Sequence, residues 1–172
     1  MKILGIDPGL GRCGFGLIET TTRAGAKALD FGVITTTVDA TLPSRLKELY
    51  DSLLQVFEET RPDVVSVEKL FFAKNITTGI AVAEARGIVL LVAEQKKIKV
   101  YEYTPNEIKK SLTGYGSATK TQMQEMVRVH LGLEKKPKPD DAADALAAAI
   151  TCAFLYQTSA EEKYKFSNSR KE

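Results

Sequence analysis

At 172 residues and 44% apolar composition, the chain suits one domain with a single sizeable core, and a disordered protein is excluded. A net charge of +2 selects no partner, but residues 95–138 hold ten Lys/Arg against four acids, a basic half that fits a polyanion or an ordinary solvated face equally well. No apolar run approaches a membrane span, MKILGIDPGL lacks a signal-peptide pattern, and Cys13 and Cys152 make no disulfide framework, so a cytoplasmic protein with two buried free thiols is expected.

The pattern begins with an apolar run, KILGI, halted by Asp7-Pro8-Gly9. Residues 13–19 (CGFGLIE) predict a second strand returning antiparallel, and 26–37 a third, giving a β-meander. Leu42, Leu46, Leu49, Leu53, Val56 and Phe57 fall at helical spacing, so a helix over 42–60 follows, with Pro43 at its first position and Arg61-Pro62 ending it. DVVSVE at 63–68 is β-branched and apolar enough for a central strand covered on both faces. A helix rich in small residues is expected over 79–96, a strand over 99–103 and a short helix over 105–112. Either Ser117 or Thr119 can cap a helix running to Leu131. KKPKP at 135–139 is a basic connector, 141–157 is a strong Ala-rich helix, and 158–172 is polar and expected to fray. One domain over 1–157 with a flexible tail results. A meander followed by βα crossovers makes a mixed sheet with helices on both faces.

Four carboxylates stand out. Asp7 closes the first strand and Glu68 closes VVSV; if those strands are neighbours, the acidic ends meet. Asp141 and Asp144 are spaced i, i+3 at the start of a helix and share one face. Taken singly, aspartates at a helix start serve capping and the macrodipole, and an aspartate after a strand serves a turn. Glu68 is the telling residue, because glutamate is a poor strand former with no cap to make there. Oxygen-only donors select a hard cation, Mg²⁺ or Mn²⁺ rather than Zn²⁺. A pair of such ions about 4 Å apart supports phosphodiester hydrolysis with no histidine or cysteine nucleophile. The one histidine, His130, has no serine–carboxylate arrangement around it and is read as structural. The glycine-rich stretch after GIDPG also resembles the first phosphate loop of actin-like and sugar-kinase ATPases. Those proteins need two such domains, for which this chain lacks the length, and it carries no GxxxxGK[ST].

GIDPGLGRCGFG, VEKLFFAKN, ARG at 85–87, GYGSATK and DAADALAAAI, in this order and spacing, resemble the RuvC family of Holliday-junction resolvases over residues 1–155. The resemblance implies a ribonuclease-H-like α/β fold with a five-stranded mixed sheet. It implies a homodimer that binds two Mg²⁺ per subunit, with Mn²⁺ as a substitute. It also implies paired nicks across a four-way junction that leave 5′-phosphate and 3′-hydroxyl ends, in concert with the RuvA–RuvB branch-migration complex. By motif, Asp7, Glu68, Asp141 and Asp144 match the family's metal-binding acids. Asp140 precedes that last pair, and the D-A-A-D register selects Asp141. Lys109 and Lys120 match lysines beside the cut phosphate, and Lys74 a DNA contact. Phe71, in a Phe71-Phe72 pair, matches an aromatic that stacks on an unpaired base, worth roughly 1–3 kcal/mol. The small-residue helix from Gly79 is the expected dimer face. Two alternatives stay open at this stage: a ribonuclease-H-like nuclease acting on RNA·DNA hybrid, and a junction-binding module without catalysis.

Overall fold

The computed structural model describes residues 1–21, 25–69 and 76–168, and the backbone alone for 76–78 and 157–168. Among these residues the elements follow the predicted order: β1 (Lys2–Asp7), β2 (Arg12–Thr20), β3 (Ala26–Thr35), α1 (Leu42–Thr60), β4 (Val64–Glu68), α2 (Ile76–Gln95), β5 (Lys99–Tyr103), α3 (Pro105–Thr113), α4 (Lys120–His130) and α5 (Asp140–Asn168). The strands form one sheet in the order β3-β2-β1-β4-β5. β1 lies antiparallel to β2 and parallel to β4, and β4 is parallel to β5. This is the expected mixed five-stranded sheet.

Strand alternation divides the apolar residues between two cores. Ile3, Ile18 and Val64 face α3, α4 and α5, with Leu146 and Ile150 on the last of these. Leu4, Ile6, Val65 and Val67 face the other way, onto Leu53 and Phe57 of α1 and Val89 of α2. Both faces of β1 and β4 are therefore dry, as their near-continuous apolar sequences require.

The closest packing is α5 on the sheet. Gly5 pairs across to Gly16 on one side and to Ser66 on the other, so a row of minimal side chains crosses the sheet. A Cβ on Gly5 would lie 1.9 Å from the Ala145 carbonyl oxygen, and one on Gly16 2.7 Å from Leu146 Cγ. Ser66 fits because its hydroxyl donates to the Ala148 carbonyl at 2.7 Å. Helix backbone thus rests almost on sheet backbone, and alanines at 142, 143, 145 and 147–149 let the helix be buried on nearly every side.

Element ends follow local chemistry. α1 stops where Arg61 turns left-handed (φ 46°) and its N–H reaches back to the Phe57 carbonyl, with Pro62 next. Pro43 is the second residue of α1 rather than the first. Capping boxes open α3 (Thr104/Glu107) and α4 (Thr119/Gln122), so Thr119, not Ser117, caps the latter. β3 ends at Thr35 instead of residue 37, because the Thr36 hydroxyl donates to the Leu10 carbonyl at 2.6 Å and leaves the ladder. α5 continues past residue 157 to Asn168. The run Ala160-Glu161-Glu162-Lys163 consists of good helix formers, so polarity alone was a poor guide to where this helix ends.

Candidate active site

The parallel pairing of β1 with β4 matches Ile6 to Val67, so Asp7 and Glu68 end adjacent strands at the same edge. By alternation from Gly5 and Ser66, both carboxylates project on the face that α5 covers. The antiparallel partner of Asp7 is Gly14. A Cβ there would lie 2.0 Å from the Asp141 carbonyl oxygen, so only glycine lets the first turn of α5 settle beside Asp7. One turn along the same helix face comes Asp144. Three elements thereby deliver four acids to one sheet edge, as expected from their spacing.

These carboxylates strain against one another. Burial pushes the Asp7 carboxyl up to about 7, and Glu68, Asp144 and Asp141 push the same way. Burial raises Glu68 to about 6, with Asp144 adding and Lys109 opposing. Asp144 is raised as well, by burial, while Lys120 pulls it down. Burial disfavours the Lys120 ammonium, but Asp144 and Asp140 more than offset it and its pKa stands above the ordinary value. Lys120 Nζ lies 3.3 Å from a carboxylate oxygen of each of those two residues. An open cleft of about 310 Å³ runs past Glu68, Lys109, Lys120 and Asp144. The Thr119 capping box places Lys120 in the first turn of α4, facing the start of α5.

Among the described residues, no three His, Cys, Asp or Glu side chains close around one point in their present rotamers. Asp141 is turned onto Arg12, and Asp144 onto Lys120. The donor set nonetheless fits a hard divalent cation. It is all oxygen, partly desolvated and mutually repelling, and a cation removes the repulsion that raises Asp7 and Glu68.

Of the adjacent pair, Asp140 is exposed and held outward by Gln124 Nε2 at 2.8 Å and by Lys120. Asp141 is the one whose charge reaches Asp7. Lys109 faces the cleft and Glu68. Phe71, Phe72 and Lys74 lie outside the described residues. His130 Nε2 is 3.2 Å from the Leu112 carbonyl and its ring meets Phe154 edge-on, a structural position as expected. Cys13 and Cys152 are buried free thiols. Gly14 and Gly16, which suggested a phosphate loop, are taken up by α5 packing instead. Arg12 was not anticipated. Its Nε and Nη2 sit 2.9 and 2.8 Å from the same oxygen, Asp141 Oδ2. The signal was faint: one cation five residues after Asp7, reaching α5 only through the fold.

Comparison with known proteins places this geometry in a family. The family model described as crossover junction endodeoxyribonuclease RuvC matches residues 3–152. A protein of that name from Thermomicrobium roseum is 49% identical over 161 residues, covering 94% of this chain and 97% of its own length. One from Caldicellulosiruptor saccharolyticus is 46% identical over 159 residues, covering 92% and 95%. The T. thermophilus RuvC structure in complex with Holliday junction substrate superposes with a TM-score of 0.87 at 34% identity, over 92% of this chain and 96% of that one. The yeast mitochondrial Holliday junction resolvase Ydc2, at 16% identity and a TM-score of 0.68, shares the fold. The chain belongs to the RuvC family of crossover junction endodeoxyribonucleases.

Proposed function

We propose that this chain is a structure-selective endonuclease that resolves four-way DNA junctions by paired, symmetric nicks. The observation that carries the reading is the convergence of Asp7, Glu68, Asp141 and Asp144 on one sheet edge, beside the Lys109–Lys120 cleft. Those four acids would hold two Mg²⁺ per subunit, with Mn²⁺ able to substitute. When bound, such ions supply a water of lowered pKa and shield the charge on the reacting phosphate.

The chain's own groups do the rest. The acids would act through the cations they hold, since bare carboxylates repel a phosphodiester, and their partial burial limits screening by bulk water. Lys120 and Lys109 offer ammonium donors to the non-bridging oxygens, whose negative charge grows as the water oxygen bonds to phosphorus. The P–O3′ bond then breaks and the 3′ oxygen takes up a proton, leaving 5′-phosphate and 3′-hydroxyl ends. Lys74 and Phe71 are assigned to DNA on the family motif, Phe71 by stacking on an unpaired base at the junction centre.

Two cuts related by two-fold symmetry need two active sites, which supports a homodimer. The exposed apolar residues Ile80 and Leu91 and the open space beside Gly87 favour α2 as its face. The family motifs also support cooperation with a RuvA–RuvB branch-migration complex. No helix among the described residues is long and apolar enough to cross a membrane, in keeping with a cytoplasmic site of action.

The test is cleavage of a synthetic four-way junction, a linear duplex and an RNA·DNA hybrid, each with and without Mg²⁺. Paired nicks in the junction that require Mg²⁺ are expected. Preferential cutting of the hybrid, or binding of the junction without cutting, contradicts the proposal.

A further inference from the structure

Arg12 opens β2 at the rim of the carboxylate cluster, and its side chain is 53% exposed. Both of its guanidinium contacts, Nε at 2.9 Å and Nη2 at 2.8 Å, fall on Asp141 Oδ2. This is the carboxylate whose backbone is seated on Gly14 beside Asp7, and it is itself 28% exposed. A cation that takes Asp141 through that oxygen must displace the guanidinium. Displacement is cheap, since a half-exposed ion pair is weak. The released side chain stays anchored at the rim, where a planar fork of donors matches a phosphate.

We propose that Arg12 is an exchangeable counter-ion: it covers Asp141, yields that carboxylate to a divalent cation, and then engages a DNA backbone phosphate beside the site. This rests on the reading of Asp141 as a metal ligand. Arg12 is a positioning residue in this scheme, coupling cation binding to DNA binding. Cation and guanidinium compete for one oxygen, so removing Arg12 has opposite effects on the two partners.

The experiment compares wild type, Arg12→Gln and Arg45→Gln. Arg45 is a nearby arginine whose Nε bonds the Thr36 hydroxyl rather than a carboxylate, so it controls for loss of a positive charge at the rim. Mn²⁺ affinity is measured without DNA, and four-way-junction affinity is measured against salt concentration in Ca²⁺ and in EDTA. Arg12→Gln is expected to bind Mn²⁺ roughly two- to fivefold more tightly than wild type, and Arg45→Gln to show a clearly smaller gain. In Ca²⁺, Arg12→Gln is expected to bind the junction more weakly, with a salt dependence shallower by about one phosphate contact; in EDTA its slope is expected to match wild type. Unchanged or weaker Mn²⁺ binding by Arg12→Gln, an equal gain in Arg45→Gln, or an unaltered slope in Ca²⁺ overturns the exchange. Failure of wild type to bind Mn²⁺ at all overturns the metal-site reading, and the exchange falls with it.

Discussion

Asp7 holds its proton to about pH 7 because it is buried and three other acids crowd it. Glu68 does so to about 6. Both values lie above those of the unfolded chain, so folding favours the protonated forms. The stability they contribute is fully present below about pH 4 and is lost as pH rises through 6 and 7. In EDTA, the stability owed to these groups therefore falls between about pH 4 and 7. Asp7→Asn is expected to raise the Tm at pH 8, with a gain on the order of 2–4 kcal/mol if the amide is accommodated. Mg²⁺ is expected to raise the wild-type Tm strongly at pH 8 and weakly at pH 5, where protons compete for the same oxygens. Thermal denaturation across pH with and without Mg²⁺ checks both. A variant less stable than wild type at pH 8 in EDTA would show that the acids are not in mutual strain.

At the scale of elements, α5 decides whether the site exists, because it brings Asp141 and Asp144 over strands that already carry Asp7 and Glu68. Its seat requires Gly5, Gly14 and Gly16, where an added Cβ would run into the helix. Gly5→Ala puts a methyl group 1.9 Å from the Ala145 carbonyl, which must move. A loss of at least about 2 kcal/mol is expected in urea unfolding, together with weaker Mn²⁺ binding as the helix lifts. Stability within about 0.5 kcal/mol of wild type would mean that the close approach is not needed.

The elements themselves were readable in the sequence wherever one period dominated. The apolar spacing of α1 predicted a helix from about Leu42 to Thr60, as observed, and the short apolar run of β5 predicted Lys99–Tyr103. The acids were readable too, since a glutamate ending VVSV has no local reason to be there. Strand order was not, for nothing in KILGI or VVSV says that they pair. The glycines could be counted but not assigned, because their meaning lies in a helix more than a hundred residues downstream. Arg12 was hidden for the same reason, since its contact with Asp141 depends on how α5 docks, whereas the choice of Asp141 over Asp140 was already given by the D-A-A-D register.

At the scale of the molecule, the sheet places the acids at one edge, with α3 and α4 walling one side of the cleft by Lys109 and Lys120. α2 lies on the opposite face and exposes Leu91 (47%) and Ile80 (52%). A two-fold pairing through α2 would present two such clefts to the two strands of a symmetric junction. Leu91→Glu is expected to shift the sedimentation profile from dimer to monomer and to convert paired cuts into rare single nicks. A variant that stays dimeric moves the interface elsewhere.

Four acids that cut the junction differ measurably from four acids that merely sit in it. The most direct measurement is cleavage of a four-way junction in Mg²⁺ by Asp7→Asn, with junction affinity measured on the same preparation. A loss of cutting of at least ~10³-fold is expected, with affinity held within about threefold, since the acids act on the transition state and the cations of α3 and α4 on the phosphates. Cutting at the wild-type rate would contradict the catalytic role of the acids.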